Sequence, residues 1–343
     1  MFAPEKTDAL LLSPKRVFGR DEVDIRVAGV RVEFSSSFKY LGVIVDDRLN
    51  FADHVDYAVA KAKKVCGKLA GITRNLSGPR ERKRKLYSTV VNQVLLYGSP
   101  VWAPDLAKGH KTKINSVQRL ANLRQIQGYR TVSGDSACAL SGNPPADLLM
   151  EEAARVETER ARVKGLEMTP VERRAAIKRF KGVAKVATLN AWNARWAAKP
   201  PTSWTRKLCR DLRAIGRASI RNTFRTTQLL TGKGVFNRYR KALRKTESDR
   251  CWYCPEEEDS AEHTLFECRQ WTEQRRRLAT VVPDLNPDDA FLARITETKE
   301  AWAAFATFAE EVMREKEDEE RRVEARAREE RRRAQPRRYG RAR

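Results

Sequence analysis

Cys251-Trp252-Tyr253-Cys254, His263 and Cys268 form a C-x2-C-x8-H-x4-C pattern. Three of the chain's six cysteines and one of its three histidines fall in this 18-residue window. A tetrahedral zinc ion takes four soft or borderline ligands, and a C-x2-C turn brings two thiolates to one side of it. With His263 and Cys268 the shell is closed, so the zinc would be structural and would leave no open position for catalysis. The loop 255–262 is acidic and polar, which suits a solvated tip, and Leu265, Phe266 and Trp271 are available as a miniature core. The competing reading is buried thiols beside an unrelated histidine. Six cysteines are too sparse for a disulfide scaffold in a chain of 343 residues. His54 and His110 lack a ligand cluster and read as capping or surface histidines, while Cys66, Cys138 and Cys209 read as small core residues.

A second chemistry is electrostatic. The chain has 69 Lys and Arg against 45 Asp and Glu, a formal charge of +24, and this argues for a polyanionic partner, most often nucleic acid. Lys61, Lys64 and Lys68 recur at helical spacing opposite an apolar face and form one cationic stripe. Arg80, Arg82, Lys83, Arg84 and Lys85 crowd the start of the next helix, where the macrodipole is already positive. Amides and cations together at a helix start make a phosphate site. A merely solvated basic face is the alternative.

These residues must be carried by particular elements. Strand-like runs crowd the start: 9–12, then Ile25–Val27 and Val30–Phe34 around Ala28-Gly29 as a hairpin, then 38–45. So small a sheet would leave an uncovered edge and face, and reads as the tail of a larger domain whose front is missing. From Phe51 the period becomes helical through Val55, Ala58, Val59, Ala62, Val65, Cys66, Leu69 and Ile72, with Asn50 as N-cap. After Ser77-Gly78, Pro79 suits the first position of a second helix through Leu86, Val90, Val91, Val94 and Leu95. A third helix spans about 114–126. Pro144-Pro145 reads as a hinge, basic helical sequence follows from 147 to about 199, and Pro200-Pro201 is another break. Helices are expected at 204–215 and 226–243, the second interrupted by Gly232 and Gly234. From about Thr296 a charge-rich run reads as a solvated single helix with a frayed basic tail, with Glu317–Arg321, Asp318–Arg322 and Glu324–Arg328 at pairing distance along it. A weaker reading gives Arg331-Arg332-Arg333 and Arg337-Arg338 a nucleic-acid or nuclear-import role. No window has the apolar length of a membrane helix, and the first residues lack a signal-peptide pattern, so an intracellular protein without a membrane partner is expected.

Phe38-Lys39-Tyr40-Leu41-Gly42-Val43-Ile44-Val45-Asp46, then Leu49-Asn50-Phe51 and His54, resembles the "KYLGV-x-LD-x-x-L-x-F-x-x-H" segment of non-LTR (LINE-like) retrotransposon reverse transcriptases, especially arthropod elements of the jockey and rDNA-inserting kinds. The resemblance continues through Gly78-Pro79-Arg80, the 94–102 run, Gln118-Arg119, the 129–133 run and Gly142-Asn143-Pro144-Pro145. It returns at Gln228–Gly234 and Ala261–Cys268, covering about residues 1–275 in order. It implies a mainly α chain. Residues 1–48 would be the C-terminal remnant of a polymerase palm, with Tyr40 and Gly42 in a primer-grip-like hairpin that meets nucleic acid. Residues 49–135 would be a helical thumb tracking the template–primer duplex, 136–245 a basic helical linker, 246–275 a zinc knuckle, and 276–343 a charged helix and basic tail.

Polymerase chemistry needs carboxylates that hold Mg²⁺ ions, and by the resemblance these precede Lys6-Thr7, a near match to the Lys-Thr-Glu piece of the palm with Asp8 in place of Glu. Mg²⁺ therefore belongs only to the intact polymerase, and this chain alone is expected to bind nucleic acid (template RNA, primer or target DNA), to act in the nucleus and not to polymerise. Asp46-Asp47 imitates the family's aromatic-x-Asp-Asp signature but falls in the Tyr40-Leu41-Gly42 block, and is expected to end a strand or cap a helix. Two further readings are a stand-alone or domesticated zinc-dependent nucleic-acid-binding protein, and a nuclease using Asp46, Asp47 and Asp53.

Overall fold

Two tight turns shape the N-terminal β structure. In the first, Ala28 and Gly29 both take positive φ (50° and 81°), the requirement of a two-residue hairpin turn whose twist matches its strands. It joins β1 (Arg26–Val27) to β2 (Val30–Arg31). In the second, Leu41 and Gly42 (45° and 89°) join β3 (Ser37–Tyr40) to β4 (Val43–Asp46), with Tyr40 opposite Val43. The run 38–45 is thus a hairpin in itself, and the expected single sheet is two separate two-stranded ones. Ala9 contributes one bridge, to Phe34. The structure, a computed structural model, describes residues 7–12, 23–76, 78–104, 106–217 and 220–334. Lys6, Ser77 and Arg337-Arg338 lie outside them.

The rest is helical: α1 (Ala52–Ala70), α2 (Glu81–Leu96), α3 (Ser99–Trp102), α4 (Lys108–Ile126), α5 (Gly134–Ser141), α6 (Ala146–Lys164), α7 (Pro170–Ala197), α8 (Trp204–Lys207), α9 (Phe224–Thr231), α10 (Asn237–Ala242), α11 (Thr272–Ala279), α12 (Phe291–Glu297) and α13 (Lys299–Ala334). The chain falls into two compact units. The first comprises the described parts of Met1–Arg74, Arg82–Gln125 and Ala137–Arg195; the second comprises Asn75–Glu81, Ile126–Ser136 and Trp196–Arg343.

In the first unit Val43 of β4, Val55, Val59 and Ala62 of α1, Val91 and Leu95 of α2, Ile114 and Val117 of α4, and Ala146 and Met150 of α6 share one core. The second hairpin and helices α1, α2, α4 and α6 therefore share one core. Pro144-Pro145 is not a hinge. The Asn143 amide nitrogen donates to Asn122 Oδ1 (2.8 Å) and Gln125 Oε1 (3.0 Å), Gln118 Nε2 donates to the Pro144 carbonyl (2.9 Å), and the Ala146 amide donates to Gln118 Oε1 (2.8 Å). A break in helix period is here a polar clamp.

Local corrections follow from packing. Helix α2 begins at Glu81, two residues beyond Pro79. Its buried face is Arg84, Ser88, Val91, Asn92 and Leu95, while Leu86 and Val90 are exposed. Phe51, in the left-handed conformation, stands at the start of α1, and Asn50 Oδ1 accepts the Ala52 amide (2.9 Å) from one residue further back. The segment 204–215 is helical only over Trp204–Lys207. In the second unit, α13 is not a solvated helix: Trp302, Phe305, Phe308, Val312, Met313 and Lys316 are buried along its first half. Its acids pair outward, Glu310 and Glu317 with Arg225 (both 2.7 Å), and Glu320 (2.8 Å) and Glu324 (3.0 Å) with Arg240. Of the three expected intrahelical pairs only Glu324–Arg328 is made (3.9 Å); Asp318 pairs with Arg321, and Arg322 with Glu319. No helix among the described residues is long and apolar enough to cross a membrane.

Candidate metal centre and nucleic-acid surface

Cys251 and Cys254 sit in a short β-bridged loop. The Cys251 amide donates to the Glu257 carbonyl (2.9 Å), the Glu257 amide to the Cys254 carbonyl (2.9 Å), and Arg250 bridges Glu258. The other two ligands come from a π-helical turn over His263–Glu267. The H-x4-C spacing explains the turn. In an α-helix, residues five apart point about 140° away from one another, whereas a π turn returns the chain to the same side. The Cys268 amide accordingly donates to the His263 carbonyl at 2.8 Å.

The four ligand atoms lie within 4.8 Å of one another and all four residues are buried. Cys268 Sγ is 3.9 Å from Cys251 Sγ and 3.8 Å from Cys254 Sγ. Tetrahedral Zn–S bonds of about 2.3 Å put two sulfurs about 3.8 Å apart, so the spacing is that of a metal cage. Among the described residues neither ring nitrogen of His263 makes a hydrogen bond, although the Glu267 carboxylate lies 3.5 Å from Nδ1, and a buried imidazole tolerates this when one nitrogen is a ligand. The hydrogen bond between the two thiols lowers the pKa of Cys251 and raises that of Cys268. The residues fit a closed site for a metal such as zinc.

The knuckle is not self-contained. Trp271 is buried with Tyr253 edge-on (5.1 Å), and Phe266 packs on Phe291 of α12 (5.3 Å). The expected solvated loop is exposed only over 255–258. Asp259 is buried and accepts from the Asn237 amide (2.8 Å) and from Lys316 Nζ of α13 (2.5 Å).

In the first unit, Lys61, Lys64 and Lys68 are exposed along α1, and Arg82, Lys83 and Lys85 along the start of α2. Arg80 is exposed too and belongs to the second unit. Arg84 leaves this set. Only 1% exposed, it donates through Nη1 to the carbonyls of Thr73 and Arg124 (both 3.0 Å) and through Nη2 to Arg74, which ties α2 to the ends of α1 and α4. Burial, then the charge of Arg124, lowers its pKa.

The hairpin tip carries Tyr40 and Gly42, and the structure sets beside it Tyr57 and Tyr97, which the sequence did not single out. Tyr40 and Leu41 project from it, 61% and 76% exposed. Tyr97 Oη donates to the Leu41 carbonyl (3.0 Å), and a Cβ on Gly42 would lie 3.1 Å from the Tyr97 ring, so glycine serves both the positive φ and the close approach. Lys39 Nζ donates to Tyr57 Oη (2.9 Å), and the hydrogen bond lowers the phenol's pKa. Lys61 Nζ lies 5.8 Å from the same ring. The lysine line of α1 therefore continues onto the hairpin through Tyr57. No acid stands near enough to Lys39 in sequence to suggest a pairing; its alternation with Tyr40 was the available signal.

His54 is neither a cap nor a surface residue. It is buried, Nδ1 accepts the Ile44 amide of β4 (3.2 Å), and its ring meets Trp102 edge-on at 5.1 Å. Desolvation, then Lys39, lowers its pKa and keeps it neutral. Asp46 ends β4 as expected, accepting the amides of Arg48 (3.0 Å), Asn50 (3.2 Å) and Phe51 (2.7 Å). With that carboxylate committed, and no metal-holding group formed by Asp46, Asp47 and Asp53 among the described residues, the nuclease reading is set aside. Cys66, Cys138 and Cys209 are buried core residues, as expected.

Comparison with known proteins decides the relationship. A Pol polyprotein of the type-1 retrotransposable element R1 4 from Nasonia vitripennis is 27% identical over 271 residues, covering 77% of this chain and 68% of that protein. A putative 115 kDa protein of the element R1DM from Drosophila melanogaster is 26% identical over 304 residues, 84% of this chain. The chain is a relative of R1-type non-LTR retrotransposon proteins. A third R1 Pol polyprotein, also from Nasonia vitripennis, reaches 33% identity over 155 residues, 42% of this chain and 44% of that protein. Since the longest of these matches takes in 84% of the chain, the likeness to R1-type proteins extends over both compact units. The chain spans only 29% of the length of the R1DM protein. No protein-family model and no solved structure matches it.

Proposed function

We propose that this chain is the C-terminal, nucleic-acid-holding part of a retrotransposon RNA-directed DNA polymerase. The first unit would act as the thumb with its primer-grip-like hairpin, and the second as a zinc-held module engaging template RNA, primer or target DNA in the nucleus. One observation carries the reading. Lys39, Tyr57 and Lys61 meet where the hairpin joins α1, so the cation of the hairpin and the exposed line Lys61, Lys64 and Lys68 form one surface around the Tyr57 ring, with the tip residues Tyr40 and Leu41 exposed at the hairpin's end. That composition suits a duplex backbone held at the phosphates without base readout. Arg82 and Lys83 extend the basic surface on α2, and Arg80 supplies a cation in the second unit. Zn²⁺ would hold Cys251, Cys254, His263 and Cys268 together, which supplies cross-linking and no chemistry. Mg²⁺ would belong to the intact polymerase, on carboxylates outside this sequence.

The test is a labelled template–primer duplex titrated with the purified chain over a salt series, beside a nucleotide-incorporation assay. Steeply salt-dependent binding without incorporation is the expected result. Incorporation by the 343-residue chain would end the claim that the chemistry lies elsewhere, and absence of binding at low salt would end the thumb reading.

A further inference from the structure

The second unit contains a cavity of about 500 Å³ that the proposed thumb does not use. That is the size range of small-ligand pockets. Its lining is unusual in being rich in hydroxyls: Ser133, Ser136, Ser203 and Thr231 among them. Aromatic surface comes from Trp204 and Tyr239, both fixed in place. Trp204 Nε1 donates to the Leu229 carbonyl (2.7 Å), and Tyr239 Oη is 2.6 Å from Thr131 Oγ1.

Three cations line the cavity against one carboxylate, Glu262. Lys207 pairs with Glu262 (3.5 Å) and Arg238 with Glu258 (3.1 Å). Lys233 pairs with no carboxylate among the described residues, and its Nζ rests 5.0 Å from the Tyr239 ring centre. It follows the left-handed Gly232 (φ 63°), which ends α9 and packs against Trp204, where an added Cβ would lie 3.4 Å from the Trp204 Cβ and 3.5 Å from its indole ring. The Thr231-Gly232-Lys233-Gly234 sequence thus presents one uncompensated ammonium beside two rings and a hydroxyl wall.

We propose that this cavity is a nucleotide subsite for an unpaired strand. Lys233 takes the phosphate, the hydroxyls take sugar and base edges, and Trp204 and Tyr239 supply the apolar walls against which a base lies. A base inside a duplex cannot enter, so the subsite selects single-stranded over paired nucleic acid. It lies just before the π-helical turn that carries the second pair of candidate ligands, since Ser260, Ala261 and Glu262 line it and His263 follows. The proposal rests on the reading above only in taking nucleic acid as the ligand; the duplex surface of the first unit is measured separately.

The experiment uses the full zinc-loaded chain, a labelled 12-nucleotide single-stranded RNA and a duplex of the same sequence. Lys233→Ala removes the free cation. Ala242→Trp, at an exposed position on α10 that lines the cavity, fills it without changing charge. Each is expected to weaken single-strand binding by about tenfold, the effect of losing a stacked base or its anchor, while duplex affinity stays within about twofold. A halogenated uridine in the strand should cross-link to Trp204 or Tyr239 in the unaltered chain and lose that cross-link in Ala242→Trp. Single-strand affinity unchanged in both variants, or no single-strand binding by the unaltered chain, overturns the subsite, and the duplex titration still judges the thumb.

Discussion

Lys316 Nζ and Asp259 Oδ1 meet at 2.5 Å, with both side chains almost wholly shielded from solvent. One belongs to the long C-terminal helix and the other to the loop that precedes the metal-binding turn. Asp259 also accepts from the Asn237 amide, and Lys316 Nζ also reaches Thr264 Oγ1 (3.3 Å), one residue beyond His263. The pair therefore connects α13 to the metal cage from within the core.

Removing one partner strands the other charge in low dielectric, so Lys316→Met should destabilise the second unit by about 3–5 kcal/mol. The double variant Lys316→Met with Asp259→Asn should recover part of that loss, because no uncompensated charge remains. Denaturant unfolding of the single and double variants measures both, and a single-variant loss below about 1 kcal/mol would show that the pair is not isolated from water.

Metal removal should propagate along the same connection. One zinc per chain is expected by elemental analysis, and chelation, Cys254→Ser or His263→Ala should deprotect 250–271 in hydrogen exchange. Because Asp259 and Trp271 are packed into the second unit, protection should fall in the first half of α13 as well, while α1 and α2 keep theirs. A metal-free chain with unchanged protection at Cys268 would refute the structural role.

His54 gives a pH signature. Its folded pKa is lowered below 6.5, so the folded state binds protons less readily than the unfolded one. The stability it contributes is complete above about 6.5, and is lost as pH falls from there through the folded value. His54→Gln should cost about 1–2 kcal/mol at pH 7.5 by weakening the contact with the Ile44 amide and Trp102. That difference should shrink below pH 6.5, and a constant difference from pH 7.5 to 5 would show that His54 does not titrate with folding.

How much of this was legible follows from particular residues. The four candidate metal ligands were readable because their spacing is a local property; the π turn brings His263 and Cys268 to one side. The core of α13 was hidden by composition, since Trp302, Phe305, Val312 and Met313 recur at helical steps beneath a dense cover of Glu and Arg. Pro144-Pro145 misled because prolines break helices, and only a tertiary contact with Asn115 and Gln118 reveals that the break is held rigid. Arg84 could not be separated from Arg82, Lys83 and Lys85 by type. The helix register against α1 and α4 singles it out, and no local pattern encodes that register.

That distinction yields the remaining prediction. If Lys61, Lys64 and Lys68 each neutralise one phosphate, replacing all three by Ala should flatten the slope of log K against log salt for duplex binding by roughly 2–3. Arg84→Ala removes the same kind of charge from the same region, yet its guanidinium is occupied by three backbone carbonyls and does not face solvent. It should leave the slope unchanged and instead lower the stability of the first unit by about 3 kcal/mol, since the carbonyls lose their donor. Replacing Arg331, Arg332 and Arg333, which are exposed at the end of α13 with Arg333 paired to Glu329 (2.6 Å), should change the slope less than the lysine set does. Salt titrations of the three variants beside their unfolding curves separate the cases. A slope altered by Arg84→Ala, or by the α13 arginines and not by the lysines, would place the nucleic-acid surface elsewhere than on α1.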